Sequence, residues 1–435
     1  MAREMKDSGI EWIGEIPREW DIRKLKYCSE FIQDKYSDKN GELEYIGLEN
    51  ISSWSGKYIS TDSQYDRAQS LLFQAEDILW GKLRPYLAKV YHTKKSGCCS
   101  SEFCVIRVSK DYSIRYFWNL LISSEFVYAI DRSTYGTKMP RANAEFIRNT
   151  FIPVPDKHEQ QAIADFLDTQ CTHIDSVIEK TRAAIEEYKK LKQAVITQAV
   201  TKGIRPNREM KDSGIEWIGE IPTSWDMVKL KYFLSSDKVN LRVGPFGSSL
   251  SGGDFKQEGV WVYNQRVVID NNFSDNNTFV SEEKFEELKG FEVLPDDILI
   301  TTRGSIGKVA IVPLVAEKGI LHPCVIKFRV NQSLISHAFI WHIFNNTDIA
   351  MRQIKDMSNS TTIEVLYSYS LKNVQIPLIP KDEWEELEGY IDKKVNEFDH
   401  IIECKNQLIT ELEAYKKSLI YEYVTGKKEA PAHAH

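Results

Sequence analysis

Residues Arg3 to Tyr27, REMKDSGIEWIGEIPREWDIRKLKY, return as Arg208 to Tyr232, REMKDSGIEWIGEIPTSWDMVKLKY, with differences only at the pairs 18/223, 19/224, 22/227 and 23/228. A chain that opens twice in this way must be built from two similar units. Weaker echoes follow, and the drift of their offset locates the insertions. The offset is 205 at the opening (3 to 208), 220 at Asp77-Ile78-Leu79 against Asp297-Ile298-Leu299, and 224 at Ile152-Pro153 against Ile376-Pro377. It then stays at 224 through Ile178/Ile402, Ile185/Ile409 and Val200-Thr201/Val424-Thr425. Length therefore varies inside each globular half and is constant in the segment that closes it. A period this long is domain duplication, since solenoid repeats run about 20 to 50 residues. At 435 residues each half can bury its own core.

Hydrophobic content of 42% and charged content of 27% describe an ordinary globular protein. No apolar run reaches the ~18 residues of a membrane span, and the opening MAREMKDSG has no apolar signal stretch. A cytoplasmic location without membrane contact is the expectation. The seven cysteines form no CxxC pair, so neither zinc nor a disulfide framework is expected. A net charge of −7 argues against indiscriminate nucleic-acid binding. Locally the balance differs. Ile78 to Ser101 carries Lys82, Arg84, Lys89, Lys94 and Lys95 with no acid, and Ile298 to Thr347 carries Arg303, Lys308, Lys318, Lys327 and Arg329 against only Glu317. A basic strip in both copies favours a shared anionic partner over a plain solvated face.

Around each strip, β-rich runs (Phe103 to Val108, Cys324 to Val330) alternate with glycine turns such as Arg303 to Lys308, and an aromatic helical pattern follows, Ile114 to Arg132 and Leu334 to Gln353. The prolines of Ile152-Pro153-Val154-Pro155 and Ile376 to Pro380 read as rigid exits. Beyond each exit, apolar residues recur at steps of three and four: Leu167, Cys171, Ile174, Ile178, Ile185, Leu191 and Val195, and in the second copy Ile391, Val395, Phe398, Ile402, Ile409, Tyr415 and Leu419. No glycine or proline interrupts His158 to Lys202, a helix of ~68 Å. Each such helix either completes its own domain or pairs with its copy, and the matched length and constant offset favour pairing. The expected fold class is α+β. Two mixed α/β domains (1–157 and 204–380) are joined by two long helices (158–203 and 381–428) that form an antiparallel coiled coil with pseudo-twofold symmetry, and a disordered tail occupies 429–435. The predicted seam is Ile174, Ile178, Ile185, Val195, Phe398, Ile402, Ile409 and Leu419.

The repeated opening, Tyr45-Ile46-Gly47-Leu48-Glu49-Asn50-Ile51, Gly244-Pro245-Phe246-Gly247-Ser248, the Ile152 to Asp168 segment with its Glu159-Gln160 pair, and the closing Ala-Val-Thr-Lys-Gly and Tyr-Val-Thr-Gly-Lys together resemble the specificity subunit of type I restriction-modification enzymes. One departure is that Glu383-Trp384 stands where the first copy has Glu159-Gln160. The resemblance implies a noncatalytic subunit with no cofactor of its own. Each half would be a target-recognition domain reading one part of a split double-stranded DNA sequence. The helices would set the unread spacer and dock two methyltransferase subunits that use S-adenosylmethionine. Translocating nuclease subunits with ATP and Mg would complete the complex.

Phosphate contacts position such a reader and base-edge contacts specify. The candidate DNA-binding residues are Lys82, Arg84, Lys138 and Arg141 in the first half, and Arg266, Arg303 and Lys308 in the second. Lys138 and Arg141 sit in the turn-rich Tyr135 to Arg141, and Arg266 follows Asn264-Gln265, whose amides can pair with adenine. No catalytic or metal site is predicted. There is no phosphate loop, and His92, His322 and His337 lack metal-ligand spacing. Asp77, Glu102 and Lys82 could be drawn as a nuclease cluster, but an aspartate at a strand entrance more often makes a turn. The alternative reading is a coiled-coil adaptor whose globular ends bind protein instead of DNA.

Overall fold

The computed structural model describes residues 3–36, 43–61, 70–134, 138–237, 240–246, 249–358 and 365–431. They form two compact units, residues 1–182 with 406–435, and residues 183–405. The first unit is thus assembled from both ends of the chain, and both long helices are shared between units. Tyr135 to Thr137, Gly247-Ser248 and the end of the predicted tail from Ala432 lie outside the described residues.

In the first unit an antiparallel sheet runs in the order Ser29–Ile32, Phe103–Val108, Ile78–Gly81, Val90–His92, with Val105 opposite both Ile32 and Leu79. The second unit repeats it as Leu241–Val243, Val325–Phe328, Ile298–Thr301, Val309–Ile311. The central strands Ile78–Gly81 and Ile298–Thr301 are buried throughout, which is why their sequences read as continuous apolar runs. A second sheet, three-stranded in the first unit and four-stranded in the second, accompanies it: Tyr45–Ile46, Gly97–Cys99 and Leu71–Phe73 in the first; Phe279–Val280, Val260–Tyr263, Gly319–Leu321 and Glu292–Val293 in the second. The aromatic helical pattern resolves into pairs, Ile114–Ile122 with Ser124–Asp131 and His337–Asn345 with Ile349–Ser358. Ser113 and Ser336 cap the first helix of each pair by accepting from the backbone N–H three residues on. Tyr116, Phe117, Phe126, Phe339 and Ile340 fill the cores beneath, each worth about 2–3 kcal/mol of burial.

The exits differ from the sequence expectation. Pro153 and Pro377 lie inside short strands, Phe151–Val154 and Gln375–Leu378, paired with Asp21–Lys24 and Asp226–Lys229. Each is a two-stranded ribbon, so a proline can turn its N-H-less edge away from the partner.

The long helices run Lys157–Lys202 and Trp384–Val424. Asp156 caps the first by accepting from Glu159 N at 2.9 Å. Beyond the ends, Gly203 and Gly426 take φ of +71° and +70°, where a side chain would be strained. Within the first unit, Phe166 faces Tyr423 at 4.5 Å between ring centroids, Lys416 binds Asp175 at 2.7 Å and Arg182 binds Glu413 at 2.9 Å. Within the second, Lys192 binds Asp399 at 2.7 Å and Arg205 binds Glu386 at 2.9 Å. One number rises as the other falls, so in each unit the segments are antiparallel.

Along the seam, Ile174, Ile178, Ile185 and Leu419 are buried, whereas Val195, Phe398, Ile402 and Ile409 are only half-buried. Ile196 is fully buried beside the half-buried Val195. Ile174, Ile178 and Ile185 follow steps of four and seven, whereas Ile196 is buried with Ala199 and Val200 against Ile218 and Trp225 in the core of the second unit, which is why burial there leaves the heptad. Leu191 and Tyr415 lie about half exposed, at 50% and 52%, on the outside of the pair.

The repeated opening fastens each unit to the start of its helix. Arg3 holds Glu159 at 2.6 and 3.0 Å while the Trp20 indole N–H donates to the same carboxylate at 2.7 Å. Arg208 and Trp225 do the same for Glu383, at 2.6 and 3.3 Å. Burial presses the Glu383 carboxyl upward, but the hydrogen bonds from Arg208 and Trp225 outweigh it and its pKa falls below the ordinary carboxylate value. The Gln160/Trp384 departure also preserves a bond. The Gln160 amide donates to Pro155 O at 2.8 Å, and the Trp384 indole donates to the equivalent Ile379 O at 2.9 Å.

Candidate nucleic-acid interface

In the first unit the buried strand Ile78–Gly81 runs out into Lys82-Leu83-Arg84, which crosses the segment Pro140-Arg141-Ala142. Ala142 N donates to Lys82 O at 2.9 Å, Arg84 N donates to Pro140 O at 2.8 Å, and Leu83 bridges Arg141. The crossing gathers Lys82, Arg84 and Arg141, with exposed Lys138 leading into it. Arg84 has φ +50°, an uncommon conformation for a residue with a side chain, held by the crossing on one side and buried Pro85 on the other. Arg141 is engaged by Glu102 at 2.7 Å, so a phosphate would have to compete with that carboxylate.

The second unit makes the same crossing with other side chains. Leu366 N donates to Thr302 O at 2.8 Å, the counterpart of Ala142 and Lys82. Here the cation has moved one place along the turn to exposed Arg303, whose carbonyl accepts from the Gln265 amide. Arg266 follows Gln265 and is 65% exposed, with Asp270 at 3.4 Å. Arg303 and Arg266 are therefore brought to one place. Lys308, on the other leg of the turn, instead lines a cleft of about 470 Å³ with Lys189, Lys192 and Asp399. The Asn264 side chain caps its helix by accepting from Val267 N at 3.2 Å, and Gln265 holds Arg303, so both amides are already engaged inside the protein.

Much of each basic strip serves the fold. Lys89 donates to Leu48 O at 2.7 Å, and burial lowers its pKa. Lys318 pairs with Glu282. Lys327 at 2.9 Å and Arg329 at 2.5 Å both reach the buried Asp297, as Arg107 reaches Asp77 at 2.7 and 2.8 Å. Asp77 and Asp297 also accept from Gln74 N and Leu294 N at 2.8 Å, the turn-making role their position suggests. Both Asp77 oxygens are held by Arg107 and Glu102 Oε1 is held by Arg141, so each carboxylate of the imagined nuclease cluster is paired with an arginine. Among the described residues no His, Cys, Asp or Glu group is placed to hold a metal, and no helix is long and apolar enough to cross a membrane.

Residues 17–187 and 238–414 each match the family described as the type I restriction modification DNA specificity domain. The type I restriction enzyme MjaVIII specificity subunit of Methanocaldococcus jannaschii is 22% identical over 425 residues, spanning 95% of this chain and 93% of its own. Among solved structures, one described as the structural basis underlying complex assembly and conformational transition of the type I R-M system superposes with a TM-score of 0.72 at 17% identity. It covers 95% of this chain and 99% of that one. The HsdS subunit from Thermoanaerobacter tengcongensis does so with a TM-score of 0.51 at 18% identity, over 95% and 98%. These structures share the fold, and the adaptor alternative is not favoured. The chain belongs to the type I restriction-modification DNA specificity family and carries two of its target-recognition domains.

Proposed function

We propose that the chain is the noncatalytic sequence reader of a type I complex, and that the paired crossings read the two parts of a split DNA target. One observation carries this: both units make the same backbone crossing, Ala142 to Lys82 and Leu366 to Thr302, yet present different cations at it. Two readers of different half-sites need one scaffold with different side chains. Lys82, Arg84, Lys138 and Arg141 serve the first half-site and Arg266, Arg303 and Lys308 the second, by phosphate and groove contacts. The long helices set the unread gap. The outward-facing Leu191, Leu408 and Tyr415 offer apolar contact to docked methyltransferase subunits. S-adenosylmethionine, ATP and Mg belong to those subunits and to the nuclease subunits that join them, in a cytoplasmic complex.

Co-expression with the matching methyltransferase, followed by mapping of methylated adenines across a genome, should return one motif in two parts separated by unread bases. A single unbroken motif, or methylation unchanged when the chain is omitted, would overturn the reading. In the purified complex, Arg303→Ala with Lys308→Ala should weaken DNA binding and lower its salt slope by roughly one for each phosphate no longer neutralised.

A further inference from the structure

Within the repeated opening, Ile13, Ile16 and Trp20 and their copies Ile218, Ile221 and Trp225 are buried, and their identity between copies follows from packing. The last four residues are different. Lys24-Leu25-Lys26-Tyr27 and Lys229-Leu230-Lys231-Tyr232 bury only their leucines. Each leucine N–H donates to the exit strand's neighbour, Leu25 to Thr150 O at 3.0 Å and Leu230 to Val374 O at 2.8 Å. The tyrosines stand out at 68% and 63% exposure. Lys26 lies over the Tyr27 ring at 5.3 Å and Lys231 over Tyr232 at 4.8 Å. Among the described residues none of these four lysines forms an ion pair. Lys24 also lies over the Phe151 ring at 5.3 Å, a contact its copy Lys229 does not repeat among the described residues, so no packing or charge pairing shared by the two units explains why the lysines recur.

Their place does. In each unit the turn packs against a short helix, Ala144–Asn149 or Ser368–Asn373, that continues directly from the crossing at Ala142 or Leu366. Those helices carry Arg148 and Lys372 at equivalent positions, Arg148 being held by Glu145 at 2.6 Å, and add Tyr369 at 74% exposure. The crossings differ between units and the turns beside them are the same. A partner that differs between the half-sites in its bases and is identical in its backbone matches that division.

We infer that the two Lys-Leu-Lys-Tyr turns are sequence-independent phosphate clamps, one per unit, that hold the DNA backbone beside each reading crossing. The ammonium groups neutralise phosphates, and each tyrosine ring holds its lysine over an apolar face and offers a hydroxyl to a phosphate or sugar oxygen. Lys24, Lys26, Lys229 and Lys231 are positioning residues: they fix the register of the duplex and carry no base information. The inference rests on the DNA-reading function proposed above.

The test uses the complete complex with its methyltransferase subunits, bound to a duplex carrying the mapped target, with affinity measured against salt. Lys24→Ala with Lys26→Ala, and separately Lys229→Ala with Lys231→Ala, should each lower the slope of log affinity against log salt by about two, near 0.9 per phosphate released. The methylated motif should stay unchanged, and Lys→Arg at the same positions should restore the slope. A slope equal to that of the unmodified complex overturns the clamp. So does loss of the co-purifying methyltransferase with the slope unmoved, which would assign the turns to an acidic protein face. If the unmodified complex fails to bind its target, the proposed function fails instead; normal target binding with an unmoved slope sinks the clamp alone.

Discussion

At the scale of single residues, charge could be counted in the sequence but not allotted. Lys327 and Arg329 looked like part of a DNA-facing strip. They alternate along one extended stretch, so both point to one side, and that side holds Asp297. The period of two was readable, but the buried acid thirty residues earlier was not, because only the sheet brings it there. Arg208 and Glu383 show what such pairs contribute. Their side chains are 15% and 8% exposed, so removing one partner leaves the other charged in a nearly dry place. Glu383→Gln should cost about 3 kcal/mol at neutral pH by urea unfolding, the lower end for a broken buried pair. Because the Glu383 pKa is depressed in the folded state, its contribution is present above the unfolded value of about 4.3 and disappears as pH falls through the folded one. The gap between wild type and Glu383→Gln should therefore close on acidification below that value; a gap independent of pH would remove the pair from the account. Cys104 makes a second residue-level case, since burial pushes its thiol up to about 12. Alkylating reagent at neutral pH should label exposed Cys404 and leave Cys104 untouched until the protein is unfolded.

At the scale of elements, the long helices were legible because they lack helix breakers and carry an apolar stripe, while the detail of the stripe was not. A heptad reading lands on Val195, whereas the core of the second unit, with Ile218 and Trp225, buries Ile196. Ile196→Ala should lower stability by about 2–4 kcal/mol and Val195→Ala by under about 1.5 kcal/mol in the same denaturation experiment. Equal costs would restore the heptad seam. Trp384 tests the departure from the first copy in a similar way. Trp384→Phe keeps a ring but leaves Ile379 O without its donor, at a cost of about 1 kcal/mol. The recognition crossings were less legible than the helices. Arg84 and Arg141 stood 57 places apart in the chain, and their meeting depends on a left-handed turn at Arg84 that its side chain does not advertise. The Lys-Leu-Lys-Tyr turns were legible in principle, as repeated residues with no packing reason to repeat, but sorting packed from exposed positions needed the fold.

At the scale of the molecule, duplication was the most readable property, because two nearly identical openings admit few explanations. The spacing role proposed for the helices has a direct test. Removal of one heptad between 174 and 195 shortens the helix by ~10 Å, which corresponds to ~3 base pairs of duplex. The mapped gap should shrink by that amount, or methylation should cease if the pairing cannot re-form; an unchanged gap would dismiss the helices as the spacer. The sequence could not show that the first unit takes its final wall from residues 406–435. Leu419, Ile420, Tyr423 and Val424 close the core around Tyr116, Leu167 and Ile174, and the Tyr116 hydroxyl donates to Val424 O at 2.9 Å. On the ribosome this inverts the usual order, in which earlier domains mature first. The half synthesised second is complete once Lys405 has emerged, while the half synthesised first must wait, its apolar surface uncovered, for the last thirty residues. Nascent chains stalled just past Lys405 should resist protease across 183–405 and be cut within 1–182, which makes the interval before residues 406–431 emerge the time when this protein most needs a chaperone.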